Sequence, residues 1–139
     1  MEKVIAVDTN VLVRFLIRDP DGFDLSKNAL AREALVLGTV WLENEWVLRS
    51  VYRMPAIAIA EAFEGLLGFP NLVVPERAAL VLACGLAREG MDFADSFHLA
   101  QARRASNFVT FDRELLKRGS RAGLEVALTH PSEIGAIDP

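Results

Sequence analysis

A chain of 139 residues supplies one domain with a genuine core. Apolar residues make up 52%, above the usual share for a globular domain, and the surplus points to self-association or a partner surface. A net charge of −4 with a pI near 5.2 excludes broad electrostatic coating of nucleic acid, which needs an excess of Lys and Arg; a local basic patch or a bound cation stays open.

Cys84 is the single cysteine, so neither a disulfide framework nor a cysteine-rich zinc site is available, and within "AALVLACGLA" it reads as a small core residue. The apolar run near the start is too short for a secretory signal. Ala56 to Ala60 and Ala78 to Leu86 are too short to span a bilayer. With no repeat, low-complexity segment or linker, residues 1–139 are expected to form one soluble, cytoplasmic domain with no membrane segment.

In chain order, Val4–Val7 is a short continuous apolar run, the pattern of a strand buried on both faces. Thr9 to Ile17 has a helical pattern, broken by Pro and Gly in "RDPDGFD". Leu25 to Leu37 reads as a helix with Ser26 as its cap. A second helix runs from about Trp41 to Arg53, and a third from Pro55 to Leu67 with Pro55 in its first turn. Asn71–Val74 is a brief strand, Glu76 to Arg88 a helix and Asp92–Ala105 another. "NFVTF" (Asn107–Phe111) is the next strand, Asp112–Arg118 a short helix and Leu124–Leu128 a final strand. This alternation predicts an α/β fold with a central, mostly parallel sheet flanked by helices.

The carboxylates then acquire a pattern. Asp8 follows the first strand and Asp112 follows "NFVTF"; in a parallel sheet both lie at the carboxyl edge, where open α/β folds place their sites. Helix N-termini return to that edge, and they bring Asp95 and Glu43. Each acid has a structural alternative. Asp8 and Asp112 would cap the helices after them, Asp92 and Asp95 have capping-box spacing, and Glu43 would favour a helix N-terminus through the macrodipole.

Convergence favours a site over four separate caps. Two carboxylates about 4 Å apart repel by roughly 4 kcal/mol at an effective dielectric near 20, whereas a helix N-terminus returns about 0.3–1 kcal/mol per acid. A cation or a bound proton must hold such a group together, and oxygen-only ligands point to Mg²⁺ or Mn²⁺. Glu43 and Glu45 cannot share a helix face. Glu43 aligns with Val47, Ser50, Val51 and Met54, an apolar stripe expected to face inward, so Glu43 is the choice. Asp95, inside its helix, is taken as a ligand, with Asp92 in support.

These residues resemble a PIN-domain ribonuclease, in particular a VapC-type toxin of a toxin–antitoxin pair. "VDTNVLVRFL" resembles the first-strand signature. "LENEWVLRSVY" resembles the second acidic motif, whose acid three residues before Trp46 falls on Glu43. "DFADSFHLAQA" resembles the third, with Asp95, and "FVTFDREL" the fourth, with Asp112. Ser96 departs from the Ala often found there. The resemblance spans nearly the whole chain and implies a three-layer α/β/α PIN-like fold and a Mg²⁺- or Mn²⁺-dependent endoribonuclease. In that reading Asp8, Asp95 and Asp112 hold metal directly or through water, and Glu43 binds water or a second metal. Thr9, Asn10 and Thr110 suit bonds that orient the acids, although turn and cap chemistry explains Thr9 and Asn10 equally well.

Arg113, Lys117, Arg118 and Arg121 follow Asp112, and Arg14 and Arg18 follow Asp8; they are either RNA-phosphate contacts or solvated helix faces. The resemblance implies an antitoxin partner. The apolar surplus in Ile57–Phe69 and the preceding helix suits that partner, a homodimer or an ordinary buried helix pair. His98 reads as structural, and His130, before Pro131, as a loop residue. A receiver-like Mg²⁺-binding signalling domain lacks its acceptor Asp and late Lys, D-x-D phosphatase chemistry lacks its second acid at Asn10, and a catalytically silent binding module does not account for all four acids.

Overall fold

The computed structural model describes residues 3–135, so the expected single domain over 1–139 extends beyond the described residues at both ends. Three two-residue strands, β1 (Ile5–Ala6), β2 (Ala34–Leu35) and β3 (Leu72–Val73), form a parallel sheet in the order β1-β2-β3. Ile5 pairs with Ala34 and Ala34 with Leu72. β4 (Asn107–Val109) and β5 (Ala127–Thr129) form a second parallel ladder with Phe108 opposite Leu128. Among the described residues are seven α-helices: α1 (Thr9–Leu16), α2 (Phe23–Leu30), α3 (Gly38–Ser50), α4 (Ala56–Leu67), α5 (Arg77–Arg88), α6 (Phe93–Gln101) and α7 (Arg113–Arg121). They flank the strands in a three-layer α/β/α arrangement, as expected.

Three local expectations are corrected. The helix predicted through Leu37 stops at Leu30, and Ala34–Leu35 is instead the middle strand. Asn71 enforces the switch by donating its side-chain N–H groups to the carbonyls of Leu30 and Arg32, a contact made across some forty residues and invisible to local propensity. Ser26 lies buried within α2, and Gly22 takes the cap position. There the Arg14 and Asp19 side chains come within 2.6 and 2.9 Å of where a Cβ would stand, so a larger residue would have to displace them. Finally, β1 is not buried on both faces: Val7 is buried, but Val4 and Ala6 are exposed.

The main core joins β1, β2 and β3 to α1–α6 through Leu12, Leu30, Val36, Trp41, Leu48, Ile59, Phe63, Leu80 and Phe97, among others. An aromatic row fixes the end of the molecule that matters for the site. Trp41 on α3 meets Phe63 on α4 at 5.1 Å, Phe63 meets Phe93 on α6 at 5.4 Å, and Phe93 meets Phe97 at 6.1 Å; edge-to-face pairs of this kind add to ordinary burial. The start of α6 is thereby held against α3 and α4. A smaller core of Leu86, Met91, Leu99, Leu115 and Val126 supports α7 and β5. At Gly119 a Cβ would overlap the Leu128 side chain, so only glycine allows α7 this close to β5. Most of the apolar face of Ile57–Phe69 is core, with Ile59, Ala60, Phe63 and Leu66 buried and Ile57 exposed. No helix of the described residues is long and apolar enough to cross a membrane.

Candidate active site

The chain leaves β1 through Val7 and reaches Asp8, whose Oδ1 accepts from the Thr9 N–H at 2.7 Å as α1 begins. It leaves β4 through Thr110, whose Oγ1 accepts from the Asp112 N–H at 3.0 Å. Asp112 in turn caps α7, its Oδ1 accepting from Leu115 N–H at 3.1 Å. Asp92 caps α6, its Oδ2 accepting from Asp95 N–H at 3.1 Å, and the Ser96 hydroxyl donates to the Asp92 carbonyl at 2.8 Å. Capping is therefore real for Asp8, Asp92 and Asp112. It is compatible with a second task, because each cap engages one carboxylate oxygen.

Asp95 differs from the other three. It stands half-buried in the first turn of α6, and its carboxyl is held above the ordinary aspartate range. Burial is the largest cause, followed by the negative charges of Asp92 and Asp112, with His98 opposing them. The structure thus brings Asp92, Asp95 and Asp112 from two distant segments into one electrostatic neighbourhood.

Glu43 does not occupy the predicted face. α3 begins at Gly38, a turn earlier than expected, so Glu43 lies in the second turn and not at the N-terminus. The inward stripe is Trp41, Asn44, Glu45 and Leu48; Glu43 and Trp46 are exposed. Trp41 sets this rotation, because its indole has to enter the aromatic row. The acid that turns inward is Glu45, which accepts from Arg49 Nε at 2.8 Å, one helical turn away. Glu45, Arg49 and Asp92 share the wall of a cavity of about 140 Å³ with Ile59, Ala60, Met91 and Phe93. The sequence shows this pair as a Glu followed by an Arg at i,i+4, the spacing that joins side chains on one helix face.

Among the described residues, no three acidic, histidine or cysteine side chains converge into a ready-made metal cage. The donor set nonetheless fits Mg²⁺, which keeps several waters and binds through one or two carboxylates together with substrate phosphates. The excess negative charge around Asp95 gives a cation something to neutralise. The Thr9 hydroxyl, beside Asp8, is buried without a hydrogen-bond partner, as are Trp41 Nε1 and both amide atoms of Asn44. Asn10 is exposed, and with Arg14 it lines a hollow between α1 and α2.

The basic residues separate into two groups. Arg14 stands one turn from Asn10, and the Arg18 guanidinium lies 5.8 Å from the Phe23 ring centre. Arg113 is exposed directly after Asp112. Lys117, Arg118 and Arg121 instead line a hollow of about 720 Å³ against α5, together with Glu89 and Glu114. At 1.5 Å per residue, Arg121 lies about 13 Å along α7 from Asp112. Arg118 also donates to the Gly90 carbonyl at 2.5 Å, which ties α7 to the turn that precedes Asp92. Cys84 takes no part: it is buried in the core, and burial pushes its thiol up to about 12.

A family model described as PIN domain matches residues 5–120. No curated protein and no solved structure matches the chain.

Proposed function

Since the chain belongs to the PIN domain family, whose members are nucleases, we propose that it is a metal-dependent endoribonuclease and the toxin of a type II toxin–antitoxin pair. The observation that carries the catalytic part is Asp95, half-buried and flanked by the charges of Asp92 and Asp112. Such a carboxylate gains from a cation, and a phosphodiester substrate brings further negative charge for a cation to offset.

In this reading Asp8, Asp95 and Asp112 hold Mg²⁺ or Mn²⁺ directly or through water. Glu43, exposed on α3, binds water or a second ion from the open side. Bound there, a divalent cation supplies polarisation of a phosphoryl oxygen and activation of water at neutral pH. The protein's own contribution is position. Asp92 fixes the first turn of α6 through the Asp95 N–H, and Thr110 fixes the turn that delivers Asp112. In the same reading Asn10, exposed two residues after Asp8, orients water around it, and the buried Thr9 supports the turn. Arg14 and Arg18 follow Asp8, Arg113 follows Asp112 directly, and they are suited to flanking phosphates. Lys117, Arg118 and Arg121 reach only RNA that continues along α7.

The partner reading has its own support. Trp46 on α3, Val51 and Tyr52 just after it, and Ile57 at the start of α4 are all about half exposed or more, a surplus suited to a homodimer or a cognate antitoxin. The protein would act in the cytoplasm, where its RNA substrate is found and a lone reduced thiol is usual. A receiver-like domain is not favoured by the family match.

The test is cleavage of single-stranded RNA by the purified protein. Mg²⁺ or Mn²⁺ should support cleavage, EDTA should abolish it and re-added metal should restore it. Cleavage that continues unchanged in EDTA would overturn the metal-dependent mechanism.

A further inference from the structure

We propose that Phe111 and His130 form a nucleobase platform beside Asp112, on which an unpaired RNA base stacks next to the phosphate to be cleaved. This inference rests on the ribonuclease reading and extends it to the way in which substrate is held.

Phe111 is 76% exposed, more than any other large apolar residue among those described. A phenyl ring left in water forfeits the burial that normally justifies it. Its position is not a matter of loose chain. Thr110 before it and Asp112 after it are joined by the hydrogen bond from Asp112 N–H to Thr110 Oγ1, so the backbone through Phe111 is a closed turn. On the neighbouring segment His130 meets it at 5.4 Å between ring centres, with the planes at 89°.

His130 is itself held. Its Nδ1 accepts from the Ser132 backbone N–H at 3.1 Å and lies 2.7 Å from the Ser132 hydroxyl. In the neutral ring this leaves the proton on Nε2, a donor for a base edge, ribose or phosphate oxygen. The pair therefore presents an aromatic surface and a hydrogen-bond donor next to the carboxylate that caps α7. Every base has a π face, and stacking on an exposed aromatic ring is the usual way in which proteins hold single-stranded nucleic acid.

The surroundings favour a nucleobase over a protein partner. An interface between chains needs a continuous apolar core. Around Phe111 lie Thr110, Asp112 and His130, and along β4 the Thr129 hydroxyl donates to Asn107 Oδ1 at 2.8 Å. Val109 is the one large exposed apolar neighbour on that strand among the described residues.

The experiment has a binding arm and a kinetic arm. In the first, a single-stranded RNA oligonucleotide carrying the fluorescent base 2-aminopurine is titrated with full-length protein in EDTA, where stacking quenches emission. In the second, KM and kcat for RNA cleavage are measured with Mg²⁺. Phe111→Ala should weaken binding and raise KM by about tenfold, the scale of one lost base–aromatic stack, while kcat stays close to wild type. Phe111→Tyr should restore binding and quenching. Phe111→Leu, apolar but without a π face, should not.

Binding of Phe111→Leu equal to wild type would overturn the platform, as would a loss confined to kcat in Phe111→Ala. Altered self-association with unchanged RNA affinity would assign the ring to contacts between copies of the chain and also overturn it. Failure of the wild type to cleave RNA, combined with quenching that depends on Phe111, would support the platform and remove the nuclease reading alone.

Discussion

The backbone N–H of Asp95 donates to the carboxylate of Asp92 at 3.1 Å, so the residue that starts α6 also lies against the acid that α6 presents. One consequence concerns stability. Asp95 holds its proton more tightly in the folded chain than in the unfolded one, through burial first and then the charges of Asp92 and Asp112. An acid with a raised folded-state pKa adds stability below its unfolded value near 4, and that advantage is lost as pH rises through the folded value. At neutral pH and without metal, Asp95→Asn should therefore melt above wild type, and the difference should shrink as pH falls toward about 4 and be gone below it. Thermal melts in EDTA across that range check it; a variant that melts below wild type at neutral pH would contradict it.

Metal should reverse the ranking. A ligand that binds only the folded chain stabilises it by mass action, so Mg²⁺ should raise the melting temperature of wild type and have much less effect on Asp95→Asn. An equal Mg²⁺ increment in both proteins would place the ion elsewhere.

The two glutamates of α3 should separate stability from activity. Glu45 is buried and paired with Arg49, whereas Glu43 is exposed. Because Arg49 is half exposed, the pair is screened and contributes about 1 kcal/mol, so Glu45→Gln should lower the melting temperature by about 4 °C. Glu43→Gln should leave the melt unchanged and impair cleavage. Unimpaired cleavage in Glu43→Gln would remove it from the site.

The candidate acids were legible to the extent that their chemistry is local. Asp8 after an apolar strand, Asp92 and Asp95 at cap spacing and Asp112 after "NFVTF" stand at the predicted element boundaries. The rotation of α3 was not legible. A helical stripe read through Glu43 and Val47 competes with one read through Trp41, Asn44 and Leu48, and only the fit of Trp41 against Phe63 decides between them. β2 was hidden for a similar reason: Ala34 and Leu35 favour helix, two residues show no period, and Asn71 acts from far along the chain. The influence of Asp112 on Asp95 likewise exists only after folding.

The buried amide of Asn44 has no hydrogen-bond partner on either atom, and an unpaired buried polar group costs about 1–3 kcal/mol. Asn44→Leu, of similar volume and apolar, should therefore raise the melting temperature by several degrees. A fall of that size would show that the amide is satisfied in solution.

The most direct test of the central claim is single-turnover cleavage of single-stranded RNA by wild type and Asp95→Asn, each titrated with Mg²⁺ after folding has been verified. Removing a metal-holding charge while preserving shape should lower the rate by more than about a hundredfold, beyond the loss typical of groups that only orient a metal's ligands. The same variant should keep its RNA affinity. Wild-type rates in Asp95→Asn at every Mg²⁺ concentration would contradict the account, and leave the carboxylates at this rim as helix caps alone.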